Sequence, residues 1–113
     1  MFDDLIGKPY KEHGRGADGY DCYGVCMKVC ERIGIKLPEV DELSSNPFYK
    51  TDYPQPGDIV LISVTGAERH VGIMLDRLYL LTVYSTGRRG VHRMRIDHPW
   101  IRDRILGIYR YAG

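Results

Sequence analysis

The chain contains 113 residues, enough for one domain spanning 1–113 and too few for two of ordinary size. Hydrophobic residues make up 43% and charged residues 27%, a composition that excludes a disordered or low-complexity chain. The formal net charge of +1, without a nucleic-acid-binding motif, argues against a nucleic-acid partner.

The N-terminus begins Met1-Phe2-Asp3-Asp4 and lacks the basic stretch and apolar run of a secretory signal. No apolar run approaches the length of a membrane span. We therefore expect a soluble protein without a membrane partner, cytoplasmic as synthesised.

The first half of the chain predicts one principal helix. A short helical turn over 3–7 is followed by a Gly-rich, polar loop over 8–21. Helical spacing then runs over 22–33, and Gly34 is a plausible stop. Two neighbouring strips recur at i, i+4, i+8 and form one broad apolar face: Val25, Val29 and Ile33, and Cys22, Cys26 and Cys30.

The second half predicts a sheet. Two prolines and many polar residues make 37–53 a connecting loop. Five short apolar runs separated by turns predict five strands: 59–64, 70–75, 79–84, 91–96 and 105–111, with turns at 65–69 and 85–90. The fold class expected is therefore α+β, one helix packed on a five-stranded antiparallel sheet.

Cys22 is a candidate nucleophile because it opens the predicted helix. The first turn of a helix presents unpaired N–H groups and the positive end of the dipole, which stabilise a thiolate and can bind an oxyanion. On position alone, an inert buried cysteine is an equal alternative. Cys26 and Cys30 lie deeper on the apolar face and are interpreted as core residues. A metal site of all three thiols is disfavoured, because ligands at i, i+4, i+8 converge poorly on one ion.

His70 is the candidate general base. It begins a predicted strand after a polar turn, and an imidazole titrating near neutral pH can accept a thiol proton and return it to a leaving amine. On position alone, a surface histidine at a turn is the more common interpretation.

Four segments in order carry a family resemblance. Gly19-Tyr20-Asp21-Cys22-Tyr23-Gly24-Val25 resembles the nucleophile segment of the NlpC-like cell-wall cysteine peptidases. The helix exit at 33–38, Gln55-Pro56-Gly57-Asp58-Ile59-Val60 and His70-Val71-Gly72-Ile73-Met74-Leu75 are similar to that family's later motifs. The closing segment from 104 to 110 also agrees, so the resemblance covers nearly the whole chain.

The resemblance implies a papain-like fold with Cys22 as nucleophile and His70 as base. It also implies that Tyr10, Asp21 and Tyr23 contact substrate. Tyr10 could bind substrate or the oxyanion, or simply pack the N-terminal loop, and the large ring of Tyr23 should reshape the adjacent subsite. The family's third polar residue corresponds to Thr82, whose hydroxyl can accept a hydrogen bond from a histidine N–H. His92 or a backbone carbonyl are alternatives for orienting His70.

The function implied is hydrolysis of peptide bonds in bacterial peptidoglycan stems, of the D-glutamyl-diamino acid type, without cofactor or metal. The aromatic residue after the nucleophile also resembles the phage tail-associated branch of the family, which would make tail proteins partners and the protein virion-associated or active at the cell wall. Two alternatives stay open: a binding or structural module with weakened catalysis, and a related hydrolase or acyltransferase acting on another amide, ester or thioester.

Overall fold

The computed structural model describes residues 2–39, 47–64, 69–85 and 89–113. The described chain begins with a 3₁₀ turn over Asp3–Leu5, as predicted, and contains two helices, α1 (Cys22–Arg32) and α2 (Pro99–Arg102). Its strands are β1 (Phe48–Thr51), β2 (Ile59–Ser63), β3 (Arg69–Met74), β4 (Tyr79–Thr82), β5 (His92–Arg95) and β6 (Ile105–Tyr111). Residues 65–68 and 86–88 of the two predicted turns, and residues 40–46 of the predicted loop at 37–53, lie outside the described residues.

All described strands join one antiparallel sheet in the order β1-β6-β2-β3-β4-β5. The strands β2 to β5 form the expected meander, and β6 returns to pair with β2. The expectation of five strands is wrong, because the described sheet has six. The additional strand, β1, lies inside the predicted loop at 37–53 and pairs residue by residue with β6, Phe48 opposite Tyr111. Its four residues show no regular apolar alternation, so a partner distant in the sequence is needed to define it.

Helix α1 packs one face against the sheet. Its buried positions include Val25, Cys26, Val29 and Cys30, four of the six residues in the predicted strips. Cys22 is half-buried and Ile33 is exposed, because they lie at the two ends of the helix. The helix ends one residue earlier than predicted, with Ile33 as the C-cap, and Gly34 adopts a positive φ of 89° just beyond it. The predicted helix and the α+β class are therefore confirmed.

The core has two layers, one on each face of the sheet. The layer under α1 includes Ile59, Ile73 and Leu81. The opposite layer includes Met74 and Leu80, and it is covered by α2 through the fully buried Ile101. In β2, β3 and β4, alternate residues feed opposite layers, which is the period-2 pattern of a sheet covered on both sides.

A buried ion pair links the residue just before β2 to the last strand, β6. Asp58 is only 2% exposed and accepts two hydrogen bonds of 2.8 Å from the guanidinium of Arg110. The same carboxylate accepts the backbone N–H of Gln55 at 2.8 Å, so the Pro-Gly-Asp turn and β6 share one anchor. Within the residues described, no helix is long and apolar enough to cross a membrane.

Candidate active site

Cys22 is the first residue of α1 and is half-buried. The preceding residue, Asp21, caps the helix by accepting the backbone N–H of Gly24 at 2.7 Å. Gly24 has to lack a side chain, because a Cβ there would lie 2.2 Å from the carbonyl oxygen of Gly14. The Gly-rich loop therefore packs directly on the first turn of the helix and sets the position of the thiol.

Burial raises the pKa of the Cys22 thiol, and the negative charge of Asp21 raises it further. The backbone N–H groups of Val71, Tyr23 and Cys22 itself act in the opposite direction, because they can donate to a thiolate. The expectation of a lowered thiol pKa is therefore wrong. Loss of hydration outweighs the N–H groups of the first helical turn, and the thiol is neutral at pH 7.

His70 belongs to β3, is 8% exposed, and lies beside Thr82 of the neighbouring strand β4. Its Nε2 atom is 2.9 Å from Oγ1 of Thr82, and the same Oγ1 donates its proton to the carbonyl oxygen of Val71 at 2.8 Å. A hydroxyl has a single proton, so Thr82 must accept from Nε2–H. This chain of two hydrogen bonds specifies the tautomer with the proton on Nε2 and leaves Nδ1 as the basic nitrogen of His70.

Cys22 and His70 are brought to the same region through β3 and Tyr84. The thiol lies against the backbone N–H of Val71, the residue that follows His70. The charge of a Cys22 thiolate also acts on the Tyr84 phenol, and the Tyr84 ring stacks on the imidazole of His70. The structure thus gathers the predicted nucleophile, base and orienting hydroxyl around the start of β3.

His92, the alternative to Thr82, is directly opposite Thr82 across the β4–β5 pair. Its Nδ1 is engaged with the carbonyl oxygen of Gly90 at 2.8 Å. Burial lowers the pKa of this histidine and favours its neutral form. Nε2 of His70 donates its hydrogen bond to Oγ1 of Thr82, the first of the alternatives for the residue that orients His70.

Tyr84 is a site residue that the sequence interpretation missed. The ring centroids of Tyr84 and His70 are 4.2 Å apart, and the planes are inclined by only 16°. The signal was available, since the strand predicted over 79–84 places Tyr84 on the same face as Thr82, two positions earlier.

Arg15 is a second missed residue, and it organises the start of α1. Its guanidinium forms a bidentate pair with Glu39, at 2.7 and 2.9 Å, and contacts Oδ1 of Asp21 at 2.7 Å. Asp21, predicted as a substrate contact, already accepts bonds from Arg15 and from the helix N-terminus. Arg15 lies in the loop over 8–21, which has no helical or strand periodicity, so no local pattern in the sequence pointed to it.

The two tyrosines predicted as substrate contacts flank this arrangement. Tyr23 donates its hydroxyl to the carbonyl oxygen of Pro38 at 2.6 Å, and the guanidinium of Arg15 lies 5.9 Å from its ring centroid. Tyr10 is half-buried and forms an isolated bridge with Tyr20. Burial, followed by the charge of Asp21, raises the pKa of Tyr10, so its phenol is neutral near the site.

Cys26 and Cys30 are fully buried, as predicted for core residues. Their thiols donate to the carbonyl oxygens of Cys22 and Gly57, and burial raises the pKa of both. Among the described residues, no three His, Cys, Asp or Glu side chains are grouped so as to hold a metal ion.

A helix with a cysteine at its first residue packs on an antiparallel sheet that presents a hydrogen-bonded histidine, which makes this an α+β fold. Residues 7–110 match the model of the NlpC/P60 family, and the chain belongs to that family. The family resemblance read from the four motifs is thereby confirmed.

Curated relatives include probable endopeptidases p60 of Listeria. The protein of Listeria grayi is 26% identical over 84 residues, which are 73% of this chain and 16% of that protein. The protein of Listeria monocytogenes is 27% identical over 84 residues, 73% of this chain and 17% of its own length. The matched segment is thus less than a fifth of these relatives.

Solved structures show the same fold. An NlpC/P60 family protein from Bacillus cereus superposes with a TM-score of 0.74 at 22% identity, covering 100% of this chain and 41% of that one. A lipoprotein-like NLP/P60 family protein from Staphylococcus aureus gives a TM-score of 0.72 at 21% identity, covering 97% and 38%.

Proposed function

We propose that this protein is a cysteine peptidase that hydrolyses peptide bonds in peptidoglycan stem peptides, with Cys22 as nucleophile and His70 as general base. The observation that carries the proposal is the hydrogen-bond chain from Nε2 of His70 through Thr82 to the carbonyl of Val71. That chain orients the imidazole and gives it the tautomer that a base with a reactive Nδ1 requires.

Because burial raises the thiol pKa, the resting site holds a neutral thiol. As the sulfur of Cys22 attacks the scissile carbonyl carbon, its proton moves to Nδ1 of His70. The carbon–nitrogen bond then breaks, the imidazolium returns the proton to the leaving amine, and a thioester remains. Water, deprotonated by the same imidazole, hydrolyses the thioester and restores the thiol.

The backbone N–H groups of the first helical turn are suited to stabilise the oxyanion of each tetrahedral intermediate. The N–H of Gly24 is committed to the carboxylate of Asp21. The N–H groups of Cys22 and Tyr23 are the ones that face the sulfur. The catalytic role of Thr82 is to hold the imidazole in position during both proton transfers.

The proposed substrate class is supported by the family and by the p60 relatives, which are described as probable endopeptidases. The bond proposed is that between D-glutamate and a diamino acid. Tyr10, Asp21 and Tyr23 lie around the nucleophile and would border the bound peptide. Delivery by a phage tail stays a prediction from the sequence resemblance, as does action on the wall from outside the cell.

The proposal is tested by muropeptide mass spectrometry. Purified peptidoglycan is incubated with the native protein and, in parallel, with Cys22→Ala, whose fold is checked by circular dichroism. New stem-peptide fragments from the native protein alone would support the proposal and identify the bond. Absence of fragments from a folded native protein would contradict it.

The raised pKa of Cys22 favours one second candidate, a binding or structural module with weakened catalysis. A neutral, half-buried thiol is compatible with a site that holds a wall peptide without cutting it. This candidate predicts that the native protein and Cys22→Ala sediment equally with insoluble peptidoglycan while releasing no fragments.

A further inference from the structure

We propose that Tyr84 is a positioning residue for His70: its ring supports the imidazole plane and stabilises the imidazolium that forms during catalysis. The inference rests on the proposed role of His70 as general base.

The hydrogen bond to Thr82 and the stack on Tyr84 constrain the imidazole in different ways. The hydrogen bond of 2.9 Å to Thr82 fixes one edge of the ring but permits rotation about the line through that bond. The Tyr84 ring lies nearly parallel to the imidazole at 4.2 Å and blocks that rotation from one face. Together they define the direction in which Nδ1 points, so a loss of either contact should disturb proton transfer.

Tyr84 is itself supported from the opposite layer of the sheet. The ring of Trp100, in α2, meets Tyr84 edge to face at 5.8 Å and 84°. The guanidinium of Arg104 covers the Trp100 ring at 4.5 Å and bonds the carbonyl oxygen of Trp100. The side chain of His98 caps α2 by accepting the backbone N–H of Trp100 at 3.1 Å. Through Trp100, the four-residue helix α2 thus supports the Tyr84 ring, which in turn stacks on the proposed base.

The stack also acts on charge. An aromatic face attracts a cation placed over it, so Tyr84 should favour the protonated form of His70. Burial raises the pKa of Tyr84 to about 12, so the phenol itself stays neutral at working pH. Among the described residues, other titratable or charged groups also act on the stack. A thiolate at Cys22 on α1 would favour the imidazolium, whereas the charge of Arg104 opposes it. His92 on β5 is tilted against Tyr84 at 5.5 Å and is kept neutral by burial.

The decisive measurement is an NMR titration of His70 in a Cys22→Ala background, which removes coupling to the thiol. Tyr84→Leu is compared with Tyr84→Phe, which keeps the ring and loses only a weak contact of the hydroxyl with the sulfur of Met94, at 3.9 Å. We expect Tyr84→Leu to lower the pKa of His70 by about 0.5 to 1 unit and Tyr84→Phe to leave it unchanged.

A second variant covers the case in which Tyr84→Leu fails to fold. Trp100→Leu leaves the Tyr84 ring in place but removes its support, and it should give a smaller shift in the same direction. An unchanged His70 titration in every folded leucine variant would overturn the inference.

With Cys22 intact, Tyr84→Leu should lower kcat about tenfold and leave KM nearly unchanged, and Tyr84→Phe should restore kcat. A loss of activity that appears only as a higher KM, with kcat unchanged, would contradict a positioning role. If no variant hydrolyses peptidoglycan, the proposed function fails, while the substrate-free titration still decides the role of Tyr84.

Discussion

Replacing Thr82 by valine tests the hydrogen-bond chain behind the proposed base. Valine keeps the shape of threonine but removes the hydroxyl that accepts from His70 at 2.9 Å and donates to the carbonyl of Val71 at 2.8 Å. Thr82 is fully buried, so water cannot replace the lost partner without a rearrangement of the sheet. A buried polar group that loses its partner costs about 1–3 kcal/mol, and this is the expected fall in the free energy of unfolding.

Catalysis should suffer as well, because the imidazole loses the contact that sets its tautomer and orientation. If about 1.4 kcal/mol of that contact is used in the transition state, kcat/KM falls about tenfold. The assay is release of stem-peptide fragments at several substrate concentrations, combined with urea unfolding of each variant to correct for the folded fraction.

Thr82→Ser is the matched control. Serine retains the hydroxyl and loses one methyl group, which costs about 1 kcal/mol of stability in a packed site but preserves both hydrogen bonds. Thr82→Ser should therefore be destabilised and active, and Thr82→Val destabilised and impaired. Equal kcat/KM for the two folded variants would refute the reasoning and return His92, or a backbone group, as the residue that orients His70.

Three further predictions concern the anchor of β2, the start of α1 and the nucleophile. Arg110→Met leaves the buried carboxylate of Asp58 without its counter-charge and should lower the free energy of unfolding by about 3–5 kcal/mol in urea denaturation. Gly24→Ala places a Cβ 2.2 Å from the carbonyl of Gly14, so we expect a loss of about 1–3 kcal/mol together with slower alkylation of Cys22. Because the Cys22 pKa is raised, the thiolate is scarce at pH 7, and its alkylation by iodoacetamide should accelerate as pH rises beyond about 8.5.

Each of these predictions has a control in the chain. Arg102→Met removes an exposed arginine and should change stability by less than about 0.5 kcal/mol. Glu31→Ala, on the exposed side of α1, should fold normally and leave Cys22 as reactive as in the native protein. Cys26 is fully buried and should resist the reagent throughout the pH range. Fast alkylation of Cys22 already at pH 6 would contradict the raised pKa.

Local patterns were enough for the elements that carry the site. The helix over Cys22–Arg32 was predictable because its apolar residues repeat with the period of a helix and pack on a single surface. The strands from β2 to β6 were predictable because short apolar runs alternate with turn residues. The motifs around Cys22 and His70 likewise identified the family, although the catalytic roles of these residues stay predictions.

Features that depend on distant partners were not predictable in the same way. Strand β1 exists as a pairing with β6, some sixty residues later in the chain, and its own four residues show no clear alternation. Arg15 becomes important only when the fold brings Asp21 and Glu39 to opposite sides of its guanidinium. Such contacts leave no periodic trace in the sequence.

The protonation of Cys22 shows most clearly the difference between what local sequence predicts and what distant contacts decide. The sequence placed the thiol at the first turn of a helix, where local N–H groups favour a thiolate, and from this a lowered pKa was expected. Packing of α1 against the sheet then removed water from the sulfur, and this loss of hydration outweighs the local N–H groups. Periodicity and motif order can be read along the chain, whereas burial is a sum over neighbours that only the folded chain brings together.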